Sequence, residues 1–298
     1  MRPLILLWRF GRPHTLIGTT VSILGVYVLV ALDVAEVGDR PGDLLCTLLA
    51  GWSVNVFITG INQLEDVEID RINKPLLPIA AGDLSPRAGR WIVAVAAVLP
   101  IALALTQGLV EVVAVVAGLL VGVAYSVPPL RLKRWPALAA ISISGVRALV
   151  VNLGVALHFG LTLAGTTRIP AGVWVLTAFV APFSVAIALL KDVPDIEGDR
   201  AYRIATYSVR LGGAVVLRAG LALLAAAYVG IAVAAPFLLD GWAAVFLAGT
   251  HLAALAALLV AARRTDPADR VLFTAFYLFV WKLFFLEYVT VPLAWALS

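Results

Sequence analysis

The sequence predicts an all-α polytopic membrane protein with nine transmembrane helices. Three observations carry this reading. The 298 residues are 62% hydrophobic and only 13% charged. The mean hydropathy is +1.01. Apolar windows recur from end to end, each long enough as a helix to cross roughly 30 Å of hydrocarbon. A formal charge of +4 fits basic loops facing an anionic membrane surface, so no nucleic-acid partner is needed. The single cysteine, Cys46, excludes an intrachain disulfide, a CxxC pair and a cysteine metal cluster.

The chain opens on "MRPLILLWRFGRPHT", which has a short apolar piece but no small-residue cleavage pattern, and reads as an interfacial lead-in rather than a signal peptide. The spans follow at about 14–33, 43–62, 89–106, 109–126, 137–158, 172–190, 213–235, 241–262 and 271–295. Basic residues punctuate alternate junctions. Arg2, Arg9 and Arg12 precede the first span, and Arg71, Lys74, Arg87 and Arg90 follow the second. Arg131, Lys133 and Arg134 follow the fourth; Lys191, Arg200, Arg203, Arg210 and Arg218 the sixth; Arg263, Arg264 and Arg270 the eighth. The opposite loops hold only Arg40 and Arg168, while Arg147 and Lys282 fall within spans. The positive-inside rule then puts the N-terminus in the cytoplasm and the C-terminus across the membrane, with a prokaryotic plasma membrane the expected location.

Two acidic segments begin where spans two and six end, both on the cytoplasmic side: "NQLEDVEIDRINKP" (62–75) and "KDVPDIEGDRAYR" (191–203). The whole chain, 1–298, therefore reads as one domain in two loosely repeated halves, about 1–136 and 137–298. Asn62, Asp66 and Asp70 are spaced four and four, which keeps them on one helical face. Asp192, Asp195 and Asp199 are spaced three and four, and share a face if the helix survives Pro194. Two carboxylate stripes would then look at each other across a bundle. Clustered oxygen ligands without His or Cys suit hard cations, and Mg²⁺ binds through a few carboxylates plus substrate phosphates. The implied ligand is a metal-chelated polyphosphate with an apolar tail, for which a prenyl diphosphate fits. Arg71, Lys74, Arg131, Lys133, Arg134 and Lys191 are the candidates for its other oxygens.

The motifs "NQLEDVEIDRINKPLLPIAAGDLS" and "KDVPDIEGDR" resemble the two aspartate-rich motifs of the UbiA superfamily of intramembrane prenyltransferases. "WRFGRPHTLIGT", "YSVPPLRLKRWP" and "FYLFVWKLFFLEYVTVPL" look most like its homogentisate prenyltransferase branch, which makes tocopherol and plastoquinone precursors. One departure is Glu65, which stands before Asp66 where the family has an apolar or aromatic residue. The resemblance implies nine helices around a central cavity and two Mg²⁺ ions bridging a diphosphate to the two motifs. It also implies prenyl transfer to a small aromatic acceptor, with loss of CO₂ if that acceptor is homogentisate. Asp66, Asp70, Asp192 and Asp195 would be catalytic, with Asn62 and Asp199 completing the metal set. Tyr125 occupies the place of a tyrosine that in the family lies near the prenyl diphosphate.

Arg147, a charge within a span, is expected to face the bundle interior and to take an acceptor carboxylate or the diphosphate, with the Arg9–Arg12 lead-in as the other cation for the acceptor. Asn152, five residues on, is a further binding candidate on a different face. Lys282 and Glu287 read as pairing with other helices, and His14 and His158 as satisfied polar groups at span ends. The rival readings are a transporter with charges near the bilayer midplane, a chlorophyll-synthase-like enzyme, a prenyltransferase for another phenolic or heteroaromatic acceptor, and a terpene cyclase using the same donor.

Overall fold

The computed structural model describes residues 3–34 and 41–298; Arg2 and Arg40, used above to orient the chain, lie outside the described residues. Among these residues there are helices and no strands. A short helix α1 (Pro3–Phe10) leads into α2 (Pro13–Leu32), and α3 (Pro41–Glu65) runs into the short α4 (Val67–Asn73). Helices α5 (Pro86–Leu105) and α6 (Leu109–Ser126) follow. The fifth span joins α7 (Pro136–Gly145), a π-helical stretch Val146–Gly154 and α8 (Val155–Ala164). Then come α9 (Ala171–Leu190), the short α10 (Ile196–Ala201) and α11 (Tyr207–Leu211), and three long helices, α12 (Gly213–Leu238), α13 (Gly241–Arg263) and α14 (Arg270–Ala296).

Nine helical runs among the described residues are long and apolar enough to cross a bilayer, and they coincide with the expected spans to within a few residues. The fifth differs most, continuing past His158 to Ala164, because the apolar "FGLTLA" after the histidine sustains the helix until Gly165 closes it in the left-handed conformation.

Packing sorts the spans into a thick wall and a thin one. The main core lies where α9 meets α12 and α14 and where α14 meets α2. Phe179, Phe183, Leu176, Tyr228 and Phe284 are buried there, filling the centre with aromatic volume. A smaller cluster joins α3, α5 and α6 through Phe57, Val115 and Leu119. Outward-facing positions carry large apolar side chains such as Val95, Val98, Leu105 and Phe237, a surface suited to hydrocarbon. Exposed Trp8, Trp91 and Trp135 mark one end of the bundle and Trp174 and Trp242 the other, as in the aromatic belts of membrane proteins.

The acidic segments are not continuous helices. The second stripe was expected to hold if helix survived Pro194; it does not, and α9 stops at Leu190, since proline lacks the N–H donor and crowds the preceding turn. The first stripe also breaks, at Asp66. Each long helix is instead followed by a short one tilted over the bundle end. Asp66 and Asp195 occupy corresponding places, just before α4 and α10, and the backbone bonds Asp70 N to Asp66 O (2.8 Å) and Asp199 N to Asp195 O (3.0 Å) keep each pair in helical register. The two short helices pack on each other.

Candidate active site

A cavity of about 870 Å³ opens at the end of the bundle that carries α4 and α10 and runs down between the thin and thick walls. Its mouth gathers Asn62, Asp66 and Asp70 from one side and Asp192, Asp195 and Asp199 from the other. The two sequence segments, more than a hundred residues apart, thus share one site.

Each carboxylate except one has a cation or amide beside it. Asp66 accepts from Arg131 Nη2 at 2.8 Å, Lys133 Nζ at 2.5 Å and Asn62 Nδ2 at 3.1 Å. Asp195 is paired with Lys74. Asp192 accepts from Lys191 Nζ at 2.9 Å, and the same ammonium donates to Tyr125 Oη at 3.1 Å. Asp199 accepts from Asn73 Nδ2 at 3.2 Å and Thr206 Oγ1 at 3.3 Å. Asp70 is 4% exposed, and its Oδ2 has no hydrogen-bond partner among the described residues. Burial pushes the Asp70 carboxyl up to about 6, against the pull of Lys74 and Arg12. Burial, with Asp192 and Asp195 adding repulsion, pushes Asp199 up to about 7. Five aspartates at the mouth stand among Arg12, Lys74, Arg131, Lys133 and Lys191, yet Asp70 keeps an unpartnered oxygen, so an added hard cation there would be held by oxygen alone.

Below the mouth the lining turns aromatic and apolar. Arg147, within the π-helical stretch, projects into the cavity, its guanidinium carbon 4.4 Å from the Trp281 ring and 4.9 Å from that of Phe284. Its Nη1 is buried without a hydrogen-bond partner among the described residues. Tyr277 and His14 complete this level, His14 standing edge-on to Trp281 at 5.0 Å. A π-helical turn of this kind re-aims side chains and is frequent at functional sites.

Three expected binding residues are placed elsewhere. Arg71 forms an exposed pair with Glu68 (2.7 Å), because one position beyond Asp70 means a turn of about 100° away from the cavity face. Arg134 lies outside, bonded to Pro129 O at 3.3 Å and 5.5 Å from the Trp135 ring. Asn152 is fully buried and accepts from Tyr288 Oη at 2.8 Å, tying the π-helical stretch to α14. Arg131 reaches the site only through Asp66. His14 is a cavity residue rather than an interfacial one, and His158 is buried beside Glu111. Glu287 does pair with another helix, through His251 Nε2 at 3.0 Å. Lys282 is exposed on the outer face of α14.

Sequence reasoning missed two neighbours: Asn73 bridges the two motifs, and Arg270 at the start of α14 donates to the carbonyls of Ile72 and Asn73. Arg12, expected as a cation for the acceptor, donates to Asn62 Oδ1 at 3.1 Å. Asn73 stands three residues after Asp70, on the same face, and that spacing was a usable signal. Arg270 gave none, since only the tertiary fold brings α14 to α4.

The model of the UbiA prenyltransferase family matches residues 19–283. The chain belongs to that family. It is an integral membrane prenyltransferase. It is 45% identical to the homogentisate phytyltransferase of Synechocystis over 96% of this chain and 94% of that protein. The wheat homogentisate geranylgeranyltransferase is 34% identical over 96% of this chain and 71% of its own length. Among solved structures, a UbiA homolog from Archaeoglobus fulgidus bound to GPP and Mg²⁺ superposes with a TM-score of 0.65 at 18% identity, covering 96% of this chain and 99% of that one. The family match and the relatives above 30% identity set aside the transporter reading.

Proposed function

We propose that this prenyltransferase joins the prenyl group of a long-chain prenyl diphosphate, phytyl or geranylgeranyl, to homogentisate with loss of CO₂, using Mg²⁺ bound at the two aspartate groups. The observation that carries this reading is the position of Arg147: a buried guanidinium with a free Nη1, between aromatic faces, directly beneath a carboxylate-lined mouth. The names of the relatives, homogentisate phytyl- and geranylgeranyltransferase, support the same acceptor.

The donor set suits Mg²⁺. Among the described residues no three His, Cys, Asp or Glu side chains form a ready cage, but hard ions of this kind take one or two carboxylates and complete their shell with phosphate oxygens and water. Asp66, Asp70, Asp192 and Asp195 would hold the ions, with Asn62 and Asp199 beside them, and the unpartnered Asp70 Oδ2 is an open ligand position. Bound with the diphosphate, Mg²⁺ supplies the charge neutralisation that makes diphosphate a competent leaving group.

The chain's own residues do the rest. Lys74, Lys133 and Lys191, each now bonded to an aspartate, stand at the rim where a diphosphate would bring its oxygens, and their ammonium groups offset the charge that builds as the C–O bond breaks. Tyr125, bonded to Lys191, sits at the same level. The diphosphate leaves with the electron pair of that bond. Trp281, Phe284 and Tyr277 make an aromatic, apolar level of the cavity that excludes water which would capture the allylic cation. Arg147 takes the homogentisate carboxylate in a bidentate grip and sets the ring against the cation. As the new C–C bond forms, the ring proton and CO₂ depart and the methylene carbon takes up a proton.

The mouth is proposed to face the cytoplasm, on the distribution of Lys and Arg, and the whole chain is taken as a single domain whose halves repeat the helix-aspartate-short helix unit. The deciding experiment gives purified protein Mg²⁺ with geranyl, geranylgeranyl, phytyl and longer diphosphates, crossed with homogentisate, 4-hydroxybenzoate, dihydroxynaphthoate, chlorophyllide or no acceptor, and reads products by mass. Decarboxylated prenyl-quinol from homogentisate is the expected result. Hydrocarbon or terpene alcohol formed equally fast without acceptor would make the protein a cyclase instead.

A further inference from the structure

The far end of the cavity is closed by polar side chains for which transfer chemistry has no use. Glu111, in the first turn of α6, is 4% exposed and faces the cavity beside Thr47 of α3. His158 of α8 places its Nδ1 4.0 Å from Glu111 Oε2. His158 Nε2 is buried with no hydrogen-bond partner among the described residues. A hydrocarbon tunnel would be expected to end in apolar side chains. This one ends in a carboxyl group and a hydroxyl, with the His158 imidazole packed beside the carboxyl group.

Its depth can be read along two helices. Glu111 and Tyr125 both line the cavity on α6, and their separation of fourteen residues corresponds to about 21 Å of helix. Thr47 and Asn62 on α3 are fifteen apart, about 22 Å. Between these levels Val54, Ile58, Val115 and Val155 line the walls, and the polar Asn55 and Thr59 beside them are satisfied by the backbone carbonyls of Gly11 and Asn55. An isoprenoid tail anchored by its diphosphate at the mouth would run down this stretch and meet the polar floor.

We propose that Glu111, seconded by Thr47, is the stop that sets donor length. This rests on a prenyl diphosphate being the donor. Methyl and methylene groups pressed against a buried carboxyl group strip its remaining polar surroundings and return no hydrogen bond. Tails that end above Glu111 are accepted, and longer ones are disfavoured because they must bend out of the tunnel.

The test compares kcat/KM for geranyl, farnesyl, geranylgeranyl and solanesyl diphosphates, with Mg²⁺ and homogentisate, in the wild type and in Glu111→Leu, Glu111→Gln, Thr47→Val and Val115→Phe. Glu111→Leu should raise the solanesyl-to-geranylgeranyl ratio by about tenfold. Glu111→Gln should leave it near the wild-type value, and Thr47→Val should move it in the same direction as Leu. Val115→Phe, which narrows the tunnel above the floor, should shift preference toward the shorter donors. An unchanged ratio in Glu111→Leu would overturn the proposal. Should that variant fail to fold, unchanged ratios in both Thr47→Val and Val115→Phe would overturn it equally. Wild-type protein that transfers no prenyl group from any donor would instead defeat the donor reading itself.

Discussion

Asn73 and Asp199, 126 positions apart in the chain, are joined by a hydrogen bond of 3.2 Å from Nδ2 to Oδ1, while Asn73 Oδ1 accepts from the Gly198 backbone N–H at 3.0 Å. One amide therefore fixes α4 against α10 and holds the two aspartate groups at a set distance. The contact leaves no room for a larger residue at position 198, where an added Cβ would lie 2.3 Å from Asn73 Oδ1.

Gly198→Ala should therefore displace Asn73 and loosen the site. A stability loss of ~1–3 kcal/mol is expected from overpacking of this kind, measured by thermal unfolding in detergent, with a fall in kcat larger than any rise in acceptor KM. Asn73→Ala in the Gly198→Ala background removes the clash, so the thermal loss of the double variant should be less than the sum of the singles. Strict additivity would show that the two residues do not act on each other.

Asp66→Asn and Asp195→Asn preserve shape and remove one charge from each group. Either should lower kcat by about two orders of magnitude. A second readout does not depend on turnover: Mg²⁺ together with inorganic diphosphate should raise the melting temperature of the wild type, chelator should abolish the rise, and both variants should lack it. A full thermal shift in either variant would remove that aspartate from the metal set.

Arg147→Lys keeps a positive charge but loses the planar fork and the stacking on Trp281. The expected result is a rise in homogentisate KM of about tenfold to a hundredfold, the worth of a hydrogen bond to a charged group, with donor KM unchanged. A rise confined to donor KM would move Arg147 to the diphosphate.

The buried pair of His251 and Glu287, 3.0 Å apart, lies between α13 and α14, away from the cavity. Glu287 is 2% exposed, so His251→Leu strands its carboxyl group and should destabilise the protein by ~3–5 kcal/mol, whereas replacing both residues by Leu should recover most of that loss. Transfer activity of the folded double variant should stay close to wild type.

The sequence by itself determined the number and limits of the spans, because hydrocarbon thickness leaves a signature in composition that needs no partner to be read. The spacing of Asn62, Asp66 and Asp70 and of Asp192, Asp195 and Asp199 likewise announced two oxygen-rich groups, since helical periodicity is a local property. Tertiary structure alone decided which basic residues serve them. Arg71 and Lys74 are three positions apart, yet one pairs with Glu68 and the other with Asp195, because α4 lies across the bundle end and only one of its faces meets α10. It also decided the floor: Glu111 and His158 lie in different spans with nothing in their local sequence to link them, and they meet because α6 packs on α8. Pairings between distant segments are fixed by how whole helices pack, and no short window of sequence contains that information.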